Sequence, residues 1–209
     1  MDDVDPAESV AALDDLRRLN SYFGGYRVLR ELFAHAGPPA SPFTVLDVGA
    51  ASGDMGELIR SLYPQATVFA LDYRSHHLVR AARPKLVADA FHLPVRSVDY
   101  VTCSLFLHHF TDEQVVELLT GFRQVARRAV LVNDLERHVL PYRFVPLTTW
   151  FFRWHPIVQH DAPISVAAGF TASDLRRLAS QAGFTQPQVW TYRPAFRVGL
   201  LARNQNTNP

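Results

Sequence analysis

From residue 43 to residue 134, short apolar runs alternate with helix-like segments, and that alternation constrains the fold more than any other feature. PFTVLDVGA (42–50) is a β-rich run, and GDMGELIRSLY (53–63) turns helical. TVFALDYR (67–74) is followed by a short helical reading, SHHLVRAARP (75–84), stopped by proline. KLVADA (85–90) and VDYVTCSL are strands, TDEQVVELLTGFRQVARR (111–128) is amphipathic behind a capping threonine, and AVLVNDLE (129–136) is a strand. Parallel strands need crossover connections, so the pattern predicts a mostly parallel α/β sheet with helices on both faces. After a helix over TASDLRRLASQAGF (171–184), where Thr171 and Asp174 form a capping-box variant, QVWTYR and FRVGLLAR close the chain as two strands. The short Pro194-Ala195 link makes them an antiparallel terminal hairpin.

Residues 7–35 have helical periodicity, which Gly24-Gly25 interrupts. A chain of 209 residues with 48% hydrophobic and 20% charged residues fits one globular domain. Net charge is +1, so no electrostatic case exists for nucleic acid or an anionic membrane as partner. Lys85 is the only lysine among 21 Lys+Arg, a bias that reads as genomic base composition. The lone Cys103 excludes an internal disulfide and a multi-cysteine zinc site. MDDVDPAES lacks the pattern of a secretory signal. The most hydrophobic stretch, 139–158, carries Arg143, Arg153 and three prolines, which makes it a poor transmembrane segment. These features predict a cytoplasmic protein in a reducing compartment.

Ligands of open α/β sheets bind at the carboxyl ends of the strands, near the point where strand order reverses. The turn after the first strand, VLDVGAASGD (45–54), is therefore the expected binding loop. It has Gly49 and Gly53, but not G-x-G-x-x-G spacing, and no G-K-[ST] follows, so a pyrophosphate is a weak fit. A cationic ligand fits better, because Asp47 places a carboxylate beside the loop. Asp72 ends the second strand, where a carboxylate can accept both hydroxyls of a ribose. Asp89, followed by Ala90 and Phe91, can read an adenine edge with a carboxylate and a backbone N–H.

D-x-G-x-x-x-G, a strand-end acid and D-A together resemble the class I S-adenosylmethionine (SAM) dependent methyltransferases over about residues 43–203. The resemblance implies a Rossmann-like seven-stranded sheet. It also implies that the Asp47–Gly53 loop, with Ala50 and Ala51, wraps the methionine moiety, that Asp72 holds the ribose and that Asp89 holds the adenine. Tyr73, Ala90, Phe91 and Ser104 complete the cofactor-side set. Ala51 departs from the family, which often has glycine there. A further similarity to ubiquinone/menaquinone-pathway and bacterial secondary-metabolism enzymes points to a small-molecule acceptor. The implied organisation is one methyltransferase domain: an N-terminal helical cap (1–40), a SAM-binding half (43–134), a lid insertion (135–170), and a C-terminal helix and hairpin (171–203).

SLFLHHF (104–110) follows the fourth strand at the same sheet edge. Methyl transfer needs a positioned nucleophile and removal of its proton, and imidazole is the natural base near neutral pH. His108 and His109 are candidates, with a capping or packing role as the alternative. The nucleobase amino-methylation motif is missing here. Asn133-Asp134 stands without the further acid that a catechol-type metal site wants, so no metal is expected.

About 35 residues separate the fifth strand from the 171–182 helix, too many for a plain connection. Their aromatic residues, Trp150 and Trp154 among them, suggest a lid over an apolar or aromatic acceptor. A packed helix pair, a dimer interface or a weak membrane-surface contact are the alternatives. His160-Asp161 is the rival base, Arg137 and Arg143 could hold an acidic or phenolate oxygen, and Tyr22 lies on the N-terminal side of the pocket. The sequence therefore reads as a SAM-dependent methyltransferase that O-methylates a small acceptor with a histidine base. C-methylation of a quinone or polyketide-like acceptor and a non-catalytic SAM-binding module are the alternatives, and both monomer and homodimer are open.

Overall fold

In the computed structural model the described residues are Leu13, 17–18, 20–138 and 165–204. Seven strands form one sheet: β1 (Phe43–Val48), β2 (Ala66–Asp72), β3 (Lys85–Val87), β4 (Val98–Ser104), β5 (Ala126–Leu135), β6 (Gln188–Tyr192) and β7 (Arg197–Arg203). Their order is β3-β2-β1-β4-β5-β7-β6. The first five are mutually parallel, while β7 runs antiparallel to both β5 and β6. This is the seven-stranded, mostly parallel sheet with an antiparallel terminal hairpin that the sequence predicts. The order reverses between β1 and β4, so their carboxyl ends open the crevice where such sheets bind ligands.

Helices α1 (Gly25–Ala36) and α2 (Asp54–Leu62) cover one face, and α3 (Asp112–Val125) and α4 (Ala172–Gln181) cover the other. β1 is buried along almost its whole length, as expected for a central strand covered on both sides. On the α1 face, Phe33, Phe43, Tyr63 and Tyr100 form an aromatic cluster with ring centroids 5.6–5.8 Å apart. Burying each such ring stabilises the fold by roughly 1.5–3 kcal/mol. On the other face, Leu118, Leu119 and Phe122 of α3 meet Leu175, Leu178 and Ala179 of α4 over Val130, Val132 and Leu200.

The caps follow the sequence. Thr111 and Gln114 form a capping box at α3, and Thr171 and Asp174 form another at α4. Each satisfies two orphan N–H groups, worth about 1 kcal/mol. Gly24, at φ 73°, breaks the N-terminal helical segment and caps α1.

Two expectations need correction. Residues 75–84 are not a helix but a single 3₁₀ turn, His77–Val79. The segment is too short to offset helix nucleation, and its groups serve neighbours instead: His77 Nδ1 lies 3.1 Å from Asp72 Oδ1, and Leu78 and Ala81 pack on Ala50. β5 also begins three residues earlier than 129, at Ala126. There Arg127 and Arg128 reach Asp99, whose carboxylate also accepts from the Thr44 N–H and hydroxyl and so ties β5 to β1 and β4.

Candidate functional site

The loop from β1 to α2 is held open by backbone conformations that suit glycine. Gly49 and Gly53 have φ of 66° and 76°. A Cβ on Gly49 would lie 2.5 Å from Phe106 Cδ2, and one on Gly53 would lie 2.7 Å from Ala81 Cα. The loop is thus clamped between the β4 loop on one side and the turn after β2 on the other. Ala51 sits between them at φ 46°, and Leu105, after β4, at φ 53°. Left-handed backbone costs a non-glycine residue about 1–2 kcal/mol, and both of these residues flank the crevice. Ala50 is buried against Ala70, Leu78 and Ala81.

The three strand-end acids occupy different environments. Asp47 is 1% exposed, and Oδ2 has no hydrogen-bond partner among the described residues. Burial first, then the nearby Asp54 charge, pushes its pKa up to about 8. Burial would raise Asp72 as well, but His77, the Arg74 N–H and the Ala51 N–H hold it below the usual carboxylate range. Its Oδ2 accepts from the Ala51 N–H at 3.1 Å, so the glycine loop and the β2 end form one unit. Asp89 Oδ1 accepts from the Phe91 N–H at 3.0 Å, which closes a local turn and engages that donor internally.

His108 and Asp134 form a short, buried polar contact. His108 Nδ1 lies 2.6 Å from Asp134 Oδ1, with both side chains almost wholly buried. Asp134 is the penultimate residue of β5, and its Oδ2 accepts from the Leu107 N–H at 2.9 Å. Burial would raise the Asp134 pKa, but the imidazole and the Leu135 N–H bring it below the ordinary value. His109 is exposed, its ring centroid 4.1 Å from that of His108. Ser104 Oγ accepts from Asn133 Nδ2 at 3.3 Å.

Other sequence-predicted residues lie apart from this arrangement. Arg137 pairs with Asp174 at the surface. Tyr22 and Tyr73 are 65% and 73% exposed. Arg143, Trp150, Trp154 and His160 lie outside the described residues.

Two features were missed in the sequence. Asp134 stands out there only as a potential metal ligand, and its pairing with a histidine 26 residues earlier becomes visible only when β4 and β5 are neighbours. Arg197, on β7, is the largest fully buried side chain among the described residues and carries no motif. Among the described residues no group of three or more His, Cys, Asp and Glu could hold a metal ion, and no helix is long and apolar enough to cross a membrane.

Residues 45–129 match the family described as a methyltransferase domain. The chain is 38% identical over 181 residues to malonyl-[acyl-carrier protein] O-methyltransferase of Geobacter sulfurreducens, covering 78% of this chain and 62% of that protein. Its fold is similar to human N-acetylserotonin methyltransferase in complex with SAM, with a TM-score of 0.69, 19% identity, and coverage of 96% of this chain and 56% of that one. It is also similar to a SAM-dependent methyltransferase from Aquifex aeolicus, with a TM-score of 0.64, 17% identity, and coverage of 96% and 99%. The chain thus spans less than two thirds of the Geobacter relative and of the human structure. Residues 45–129 thus match a methyltransferase domain, and the chain has the fold of SAM-dependent methyltransferases of known structure.

Proposed function

We propose that this chain binds SAM and methylates an oxygen of a small, largely apolar or aromatic acceptor, with His108 as the base. The observation that carries the reading is the 2.6 Å contact between His108 and Asp134 at the crevice between β1 and β4. The residues present fit the cofactor. Asp47 offers an orphaned buried carboxylate oxygen to the α-ammonium, and the Gly49–Gly53 loop is a cradle that a Cβ would fill. Asp72 retains acceptor capacity for the ribose, and Asp89 with Ala90 and Phe91 borders the adenine position. When bound, SAM supplies a methyl group on a sulfonium, which the acceptor oxygen displaces in line while the C–S electron pair stays with sulfur.

The chain's own part is positioning and proton removal. Asp134, ionised, can only accept, so His108 Nδ1 carries the shared proton and Nε2 keeps its lone pair for the acceptor hydroxyl. The imidazolium that forms is stabilised by Asp134 at 2.6 Å. His109 is exposed beside it, with its ring centroid 4.1 Å away. The division into cap, SAM-binding half, lid and terminal hairpin belongs to this reading. So does a reducing, cytoplasmic setting, which the single buried thiol of Cys103 supports.

Similarity to a malonyl-[acyl-carrier protein] O-methyltransferase favours a second reading, in which the acceptor oxygen is a carboxylate that needs no base. Incubation with methyl-tritiated SAM and a panel of phenols and carboxylic acids separates the two. A phenol acceptor whose methylation collapses in His108→Asn supports the first. A carboxylic acid methylated equally by wild type and His108→Asn overturns the base assignment.

A further inference from the structure

Arg197 opens β7 and lies level with Leu135 at the carboxyl end of β5. It is 2% exposed. It faces the α1 side of the sheet, as Gly199 does two residues on, close against Val28 and Leu32. Its Nε donates to the Phe23 carbonyl at 3.2 Å, and its Nη2 reaches Asn20 Oδ1 at 3.4 Å. Its Nη1 is buried and has no hydrogen-bond partner among the described residues.

The acids around it are committed elsewhere. Asp54 accepts from Asn20 Nδ2 at 3.1 Å and from the Ser52 hydroxyl at 2.9 Å. Asp134 holds His108 and the Leu107 N–H. Both attract the guanidinium electrostatically, and neither pairs with it. Arg197 therefore lies within the field of both the acid that pairs with His108 and the acid that opens α2. The chain Arg197–Asn20–Asp54–Ser52 joins it to the glycine loop through side chains alone.

A buried cation without a counter-ion is costly, and its unpartnered Nη1 is a charged donor suited to a carboxylate oxygen. A clamp on Phe23 and Asn20 would need only neutral donors. We propose that Arg197 is a carboxylate-binding residue of this crevice, its Nη1 receiving either the α-carboxylate of SAM or a carboxylate of the acceptor. This rests on the reading of the crevice as a SAM site.

The test titrates wild type, Arg197→Met and Arg197→Lys with S-adenosylhomocysteine and with its decarboxylated analogue, which differs only in the carboxylate. It then titrates the S-adenosylhomocysteine-saturated proteins with benzoate. If the cofactor supplies the carboxylate, wild type prefers S-adenosylhomocysteine over the analogue by about tenfold or more. Arg197→Met then erases that preference without changing analogue affinity, and Arg197→Lys falls between. If the acceptor supplies it, cofactor affinity is unchanged in Arg197→Met, and benzoate binds the saturated wild type but not the variant. Equal wild-type affinity for the two nucleosides, with no benzoate binding, overturns the proposal without needing any variant to fold. Absence of S-adenosylhomocysteine binding to wild type is a different failure, that of the SAM assignment itself.

Discussion

His108 Nδ1 stands 2.6 Å from Asp134 Oδ1 in a pair whose side chains are 4% and 0% exposed. His108 lies in the 3₁₀ turn after β4, and Asp134 lies near the end of the neighbouring β5, so strand pairing and that turn together set their distance. Asp134→Asn keeps the shape and removes the charge that fixes the imidazole. Turnover should fall about 10²–10⁴-fold, the usual worth of a general base, while S-adenosylhomocysteine affinity stays unchanged. Single-turnover kinetics beside calorimetry checks both halves.

The same pair shapes the acid limb of stability. The folded pKa of Asp134 lies below its unfolded value. Its contribution is therefore present above the unfolded pKa, about 3.9, and lost as pH falls through the folded value. Asp134→Asn should flatten the loss of stability below pH ~4, read from urea midpoints across pH.

Asp47 behaves in the opposite sense. Burial and Asp54 raise its pKa to about 8, so its folded form holds a proton that the unfolded chain has released. The protein should lose stability progressively as pH rises from about 4 toward that folded value. A cationic ligand group beside Asp47 would expel the proton. Binding of S-adenosylhomocysteine at pH 7 should therefore release protons, seen as a binding enthalpy that varies with buffer ionisation heat. Asp47→Asn should abolish the release, weaken binding, and raise the melting temperature of the ligand-free protein at pH 8.

Asp72 joins the glycine loop through the Ala51 N–H and the turn after β2 through His77. Asp72→Ala should weaken S-adenosylhomocysteine binding by more than about tenfold, or roughly 1.4 kcal/mol. An unchanged dissociation constant would remove the ribose assignment.

Ala51 holds a left-handed conformation at φ 46°. Ala51→Gly relieves that strain at the cost of a more flexible unfolded chain. The net gain should be about 0.5–1 kcal/mol, a rise of roughly 1–4 °C in Tm by calorimetry. Gly49→Ala should instead disrupt the loop, because its Cβ would collide with Phe106.

The strands, both cap threonines and the glycine loop were legible in the sequence because each is a local pattern. Thr111 and Thr171 sit three residues before their partners, and β1 is an apolar run. The 75–84 segment misled because its helical reading ignores Asp72, a tertiary partner of His77. Asp134 and Arg197 were obscure for the same reason. Their partners, His108 and Asn20, are 26 and 177 residues away, and only strand order brings them together. Arg137 looked like an anion holder from its composition-level context, yet its partner is the capping acid of α4.

Every assignment above depends on a SAM site in the crevice between β1 and β4. Calorimetric titration of the purified wild-type protein with S-adenosylhomocysteine and with NAD tests it most directly. Micromolar binding of the first and none of the second is the expected result. Binding of NAD with none of S-adenosylhomocysteine would contradict it and make residues 45–54 an irregular dinucleotide loop.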